Sequence, residues 1–431
     1  MRAPEIEEIA NLAAEAYVFG FPALEMQRVR HGFMYAPHAR ELTPANTFRH
    51  VRKLATANSR VVTTPNNDTL YSTAWLDLAA GPVRVSTPEL GDRYYSFAFM
   101  DFFTNVFAII GRRNAPGGGV TRQIVGPDWL GESGPAEIIR APTNTVWLLA
   151  RFVVDGADDL PAVHALQDRS FLGPTARPQE DSPVRRDWVV NAATEEDPAR
   201  LFDALNGALA ENPPLAADAD IMARIGSIGI APGRQFPKKT ATEAEALRRG
   251  VDEARAGLKY DVRALRQAEK AGEWRRPPME LGDYGANYRL RAVTALAGLA
   301  ALPPQEAMYL STICDSAGAP LEGVNRYEVR FAKGETPPAH AFWSITLYEI
   351  DPQGRAWFAR NPLDRYSIGD RTPGLRYGPD GSLTIQIARE WTDPSNVLPA
   401  PDGAFFLSLR VYEPAARLLH GGYMPPPVVR A

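Results

Sequence analysis

From about residue 61 to residue 154 the sequence breaks into short runs rich in β-branched and aromatic residues, each closed by Gly, Pro, Asn or Asp. The runs are RVVTT, YSTAWLDL, VRVSTP, YYSFAFM, NVFAII and TVWLLARFVV. This texture stops near Asp158 and returns from about Met308, in YEVRF, AFWSITLYE, LTIQIA and FFLSLRVYE, spaced by DSAG, DPQG, GPDG and PAPDG. Between the two blocks the apolar residues recur at helical spacing, in LPAVHALQDRSFL, PARLFDALNGALA, TEAEALRRGVDEARAGLKYDVRALRQAEKAG and NYRLRAVTALAGLA. Strands at such spacing predict sandwiches or barrels. The expected fold is therefore mainly β with a helical insertion, an α+β multidomain chain.

At 431 residues the chain exceeds the usual size of one hydrophobic core. The expected divisions are N-terminal helices over 1–35, a β domain over 36–157, a helical region over 158–307 and a second β domain over 308–431. Ile6, Ile9, Ala13, Ala16 and Tyr17 predict the first helix, and Gly20-Phe21-Pro22 is expected to bend or split it. Thr240 and Glu243 fit a capping box opening the longest inserted helix. YYSFAFM alternates Tyr95, Phe97 and Phe99 with Tyr94, Ser96 and Ala98, the pattern of a half-buried antiparallel strand. The tail GGYMPPPVVR is expected to be extended.

The charge balance, 47 basic against 51 acidic residues, argues against a general nucleic-acid binder. A single cysteine, Cys314, allows no intrachain disulfide. No run of about 18 apolar residues exists, so no spanning helix is expected. The acidic, amphipathic start lacks a secretory signal, and the expected compartment is the cytoplasm, or the periplasm if a leader was removed.

Standard catalytic motifs are missing. Gly131–Gly134 and Gly226–Gly229 read as turns, and Gly117–Gly119 as a loop. The segment PNNDTLYS instead gathers Asn66, Asn67, Asp68, Thr69, Tyr71 and Ser72 at the start of a strand. So dense a set of hydrogen-bonding groups can hold a polar substrate, although Asn and Asp also suit a plain Asx turn. MDFFTN places Asp101, Thr104 and Asn105 among aromatic residues, where burial raises a carboxyl pKa toward acid–base use. In NTFRH, Asn46 and His50 stand at i, i+4, and the histidine is a candidate base. AFWSITLYE and NPLDRYSIGDRT add Trp343, Ser344, Tyr348, Asn361, Arg365, Tyr366 and Asp370; an Arg beside aromatics clamps carboxylates or phosphates. Asn287 and Arg291 repeat the i, i+4 spacing in NYRLRA.

These segments, in this order, resemble a bacterial family known by two names, the domain-of-unknown-function families 1254 (N-terminal half) and 1214 (C-terminal half). The matching stretches include NTFRH, VVTTPNNDTLYSTAWLDL, RYYSFAFMDFFTNVFAIIGRR, APTNTVWLLAR, IGIAPG, NYRLRA, YLSTICDSAGAPLEGVNRYEVRF, FWSITLYE, NPLDRYSIGDRT and DGSLTIQIA, from about residue 8 to 428. The resemblance implies two β-sandwich or barrel-like domains joined with a helical portion. It implies no general activity, and many relatives look exported. It also places PNNDTLYS and MDFFTN at the family's most recognisable motifs.

Three readings follow. In the first, the chain is a cofactor-independent enzyme of hydrolase, lyase or isomerase type, acting on a small polar molecule in an interdomain pocket. Its catalytic set is Asp101, His50, Asp68 and Tyr71, and its substrate-binding set is Asn66, Asn67, Thr104, Trp343, Arg365 and Tyr366. The second is a small-molecule or carbohydrate-binding protein without catalysis, and the third a structural or assembly protein. The expected partner is a small-molecule ligand, with neither nucleic acid nor membrane, and homo-oligomerisation stays open. No cofactor is expected, with Ca²⁺ or Mg²⁺ at the oxygen-rich motifs as a side reading.

Overall fold

The computed structural model describes residues 5–35, 42–60, 62–131, 136–174, 196–264 and 272–431. It opens with one helix, α1 (Ile6–Met34), which runs unbroken through Pro22, against the expected bend or split. Interior proline costs about 3 kcal/mol of helix stability. Burial offsets that cost: residues from Ile9 to Met26 sink into one apolar cluster with the other helices. Gly20 lies against Leu205 so closely that a Cβ would fall 2.5 Å from Leu205 Cδ2.

The N-terminal β block holds β1 (Arg49–His50), β2 (Thr69–Asp77), β3 (Val83–Ser86), β4 (Glu89–Gly91), β5 (Tyr95–Met100), β6 (Val106–Gly111), β7 (Gly117–Gly118), β8 (Thr121–Val125), β9 (Glu137–Arg140), β10 (Thr145–Val153) and β11 (Phe171–Pro174). They form a five-stranded sheet, β1-β2-β10-β5-β6, and a four-stranded sheet, β11-β3-β8-β9, with β4 and β7 paired separately. Alternate residues of the first sheet, Leu70, Ala74, Phe97, Phe99, Leu148 and Phe152, meet Val83, Val85 and Ile124 of the second in a sandwich core. Two expectations need correction. RVVTT is not a strand over its described residues. In LPAVHALQDRSFL the helix ends at Arg169, and Phe171 begins β11 on the sheet edge.

The insertion contributes α2 (Leu160–Arg169), α3 (Pro198–Glu211), α4 (Ala219–Gly226), α5 (Ala241–Ala264) and α6 (Tyr288–Ala297). The capping box forms: Thr240 N–H donates to Glu243 Oε2 at 2.8 Å, and Glu243 N–H donates to Thr240 Oγ1 at 3.3 Å. The end of the predicted long helix, beyond Ala264, lies outside the described residues.

The second β block holds β12 (Ala307–Thr312), β13 (Tyr327–Phe331), β14 (Ala339–Ile350), β15 (Ala356–Trp357), β16 (Ser367–Gly369), β17 (Leu383–Ala388), β18 (Val397–Pro399), β19 (Phe405–Pro414) and β20 (Val429–Arg430). Sheet β12-β19-β14-β15, with β16 also on β14, packs on sheet β18-β17-β13-β20. The chain is thus an α+β multidomain protein, two β-sandwiches with a helical insertion.

One arrangement positions everything polar. The face of the five-stranded sheet that points away from its own core is covered too. At one end Trp75, Met100 and Trp147 join the helical cluster. At the other, Tyr94, Ala98 and Val153 pack against Phe342 and Tyr412 of the second sandwich, with ring centroids 4.1 to 5.5 Å apart. This explains why β5, expected to be half-buried, is buried on both faces.

Helix α5 crosses α1 at Gly250, where a Cβ would fall 2.0 Å from the Ala10 carbonyl oxygen. Gly250→Ala is predicted to lower unfolding free energy in urea by about 1–3 kcal/mol. Gly257→Ala in the same helix meets only the tip of Arg289 and should gain up to about 1 kcal/mol. Equal stability of the two variants contradicts this crossing.

Candidate functional site at the junction of the sandwiches

PNNDTLYS lies on the seam. Asp68 N–H donates to Asn66 Oδ1 at 2.6 Å, which closes the expected Asx turn. That turn aims the Asn66 amide across the junction, where Nδ2 donates to Tyr71 Oη of one sandwich at 3.2 Å and to Tyr412 Oη of the other at 2.8 Å. The Asp68 carboxylate accepts from Ser344 Oγ at 2.7 Å and Ser367 Oγ at 3.3 Å, both on the second sandwich. Tyr348 Oη donates to the Pro65 carbonyl at 2.6 Å.

Beside this seam the two facing sheets bring four side chains together. Tyr71 sits opposite Arg151 in the β2–β10 pairing, and the guanidinium lies 5.2 Å from its ring centroid. Tyr309 sits opposite Arg410 in the β12–β19 pairing. Arg151 Nη2 donates to the Ala300 carbonyl at 2.8 Å, while Nη1 has no acceptor among the described residues. Arg410 donates to Thr346 Oγ1 at 2.5 Å and to Tyr348 Oη. Tyr71 and Tyr309 are each half-buried and keep part of their surface accessible at this point of the junction, here termed the recess.

The two tyrosines are pushed in opposite directions. Burial raises the Tyr71 pKa, but the Arg151 charge, aided by Arg410 and the Asn66 donor, overcomes it, and the net shift is downward. For Tyr309 burial wins over the same Arg151 charge, and the net shift is upward. Tyr71 accepts from Asn66 and has no acceptor for its own proton among the described residues. A tyrosine whose pKa is lowered beside one whose pKa is raised is the kind of pairing that acid–base chemistry can use.

At the β1 edge of the same junction, residues 54–58 face residues 360–366 across a cleft of about 360 Å³. Asn67 and Tyr366 line it, and Asn67 Oδ1 is buried without a partner among the described residues. Tyr366 stacks on Phe358 at 4.7 Å and donates to Asp364 at 3.1 Å.

The remaining predicted residues lie elsewhere. Asp68 is level with Val154, just past the end of the neighbouring strand β10, and Met100 with Trp147. At about 3.3 Å per residue that separates Asp68 and Asp101 by roughly 20–25 Å, so PNNDTLYS and MDFFTN do not line one pocket. Asp101 holds its own turn, accepting from Phe103 N–H, Asn105 N–H and Asn105 Nδ2 at 2.9 Å each. Burial still pushes its carboxyl up to about 6 against those hydrogen bonds. Thr104 sits in that turn with φ 71°, and its Oγ1 has no partner among the described residues. His50 is on a strand, not a helix, so it shares no helical face with Asn46. Its Nδ1 is 2.7 Å from Ser72 Oγ, on the face opposite Tyr71, so it does not reach the recess. Burial first, then Arg52, lowers its pKa, with Asp168 opposing. Trp343 is in the second sandwich's core against Phe331. Arg365 is tied to its own sandwich, where Nη1 donates to the Pro394 and Val397 carbonyls at 2.5 and 2.9 Å. Asn287 caps α6, its Oδ1 accepting from Leu290 N–H.

Arg151, Tyr309, Arg410 and Tyr412 are absent from the predicted site. Two of them carry a signal in the sequence: an arginine in the middle of an apolar strand run, in TVWLLARFVV and in FFLSLRVYE. Among the described residues no three His, Cys, Asp or Glu side chains converge as a metal site would require, and no helix is long and apolar enough to cross a membrane.

Residues 45–174 match the family model described as protein of unknown function DUF1254, and residues 306–416 match that of DUF1214. The chain belongs to the proteins that carry these two regions in this order. It is similar to the solved VPA0106 protein from Vibrio parahaemolyticus, with 25% identity and a TM-score of 0.75 over 98% of this chain and 100% of that one. An uncharacterised protein from Burkholderia cenocepacia matches at 13% identity and a TM-score of 0.48, over 96% of this chain and 88% of that one. No curated protein matches.

Asp68→Ala strands the Ser344 and Ser367 hydroxyls and uncovers Arg410. It should cost about 2–3 kcal/mol in urea unfolding. An unchanged midpoint contradicts the seam.

Proposed function

We propose that the protein is a cofactor-independent acid–base enzyme, of hydrolase, lyase or isomerase type, acting on a small polar molecule in the recess between the sandwiches. The observation that carries this reading is Tyr71: a partly accessible phenol beside the Arg151 charge, with its proton unclaimed and its pKa pulled down. In the reaction the Tyr71 phenolate takes a proton from the bound molecule and Tyr309 returns one to it. Arg151 stabilises the negative charge on the Tyr71 oxygen, and Asn66 fixes that oxygen by its hydrogen bond. Asp68 acts by holding the second sandwich in place, and Asp101 and His50 take no part.

Turnover of a panel of small hydroxy, keto and ester compounds tests the reading. Tyr71→Phe should reduce any activity found by roughly 10²–10⁴-fold without unfolding the chain. As the base must be ionised, kcat/KM rises with pH through the depressed Tyr71 pKa. The sign for stability is the same: a folded pKa below the unfolded one favours the folded phenolate, a gain that grows as pH rises and is lost as pH falls through the folded pKa. Full activity in Tyr71→Phe contradicts the assignment.

A second reading is a polyol-binding cleft, favoured by the unpartnered Asn67 Oδ1 beside Asp364 and the Tyr366 ring. It predicts that a sugar or polyol raises Tm in the wild type and not in Asn67→Ala. No rise across a broad polyol panel rejects it.

A further inference from the structure

A second interdomain cleft, of about 460 Å³, opens at the β6 edge of the five-stranded sheet, away from the Asn67 cleft on the β1 edge. Arg112 and Arg113, which directly follow β6, line it with Asp92, Gln305, His340 and Glu413. Arg112 ion-pairs with Glu413 and donates to the His340 carbonyl at 3.2 Å. Arg113 Nη1 lies 3.4 Å from Glu306 Oε2, and Glu306 Oε1 accepts from Tyr94 Oη at 2.9 Å. Both glutamates are buried, at 1% and 5% exposure, whereas the Arg112 and Arg113 side chains are 29% and 45% exposed. Each guanidinium is therefore anchored from behind and keeps donors for the cleft, in a fork whose geometry matches a carboxylate.

Glu413 holds two further features at one residue. Its Oε1 is buried and has no donor among the described residues, and its backbone sits at φ 50°, a left-handed conformation that a non-glycine residue rarely adopts. An unpartnered carboxylate oxygen and local strain together mark a place where a ligand's donor belongs. The lining also balances the signs, with Asp92 and Glu413 against Arg112 and Arg113.

We infer that this cleft binds a small carboxylic acid bearing an adjacent hydrogen-bond donor, a hydroxy acid or an amino acid. The carboxylate lies on the Arg112 and Arg113 forks, and the hydroxyl or ammonium group donates to Glu413. The site is separate from the Tyr71 recess and does not depend on it.

Calorimetric titration of the full chain with malate, aspartate and succinate tests this, since the three differ only in the substituent beside one carboxylate. Malate or aspartate should bind at least tenfold tighter than succinate, and which of the two wins tells a hydroxy acid from an amino acid. Arg113→Met should weaken that binding at least tenfold in a chain that still melts cooperatively, with Tm lowered by the loss of the Glu306 partner, and Arg113→Lys should recover part of both. Equal binding of all three acids, no binding of any, or unaltered affinity in Arg113→Met overturns the inference.

Discussion

Placing the Arg151 guanidinium between two β-sheets carries a desolvation cost of several kcal/mol, which only well-placed partners offset. Here the partners are the Ala300 carbonyl, the Tyr71 ring face and the polar groups of the facing sheet. Much of the junction follows from this constraint. The second sandwich must close over the first to exclude water, and it does so where Tyr94 meets the stacked Phe342 and Tyr412 rings edge-on. A buried charge then acts on whatever titrates next to it, and Tyr71 stands directly opposite. The fold and the acid–base chemistry proposed for it thus share one cause.

The seam shows how a short polar segment can serve both. Asn66 spends its carbonyl on a local turn and its amide on a tyrosine from each sandwich. Asp68 faces two serines of the second sandwich. Neither residue needs to react for the site to depend on it, because a shift of the seam moves Tyr71 against Tyr309. The structural reading of PNNDTLYS and the catalytic reading of its Tyr71 are compatible for that reason.

Much of the architecture was legible in the sequence. Period-two runs, turn residues and the 240–243 capping box locate most elements, because each is a local property. What failed was non-local. Pro22 looks like a helix break until the burial of α1 is known, and β5 looks half-exposed until the second sandwich covers it. The site divided the same way. Asn66, Asp68 and Tyr71 were found because they crowd into eight residues, and Asn67 and Tyr366 do share a cleft. Asp101, His50, Trp343 and Arg365 were grouped with them by residue type alone, and strand register and sheet face, invisible in a list of residues, separate them. Tyr309 and Arg151 were missed because they meet only when two sheets over a hundred and fifty residues apart are brought face to face.

The central claim is that the junction lowers the pKa of one tyrosine. It is tested most directly by following the ring carbons of the fifteen tyrosines by nuclear magnetic resonance as pH rises. The account predicts one resonance, absent from Tyr71→Phe, that titrates below the ordinary tyrosine value of about 10 and moves upward in Arg151→Met. If every tyrosine titrates at or above that value, the account is wrong.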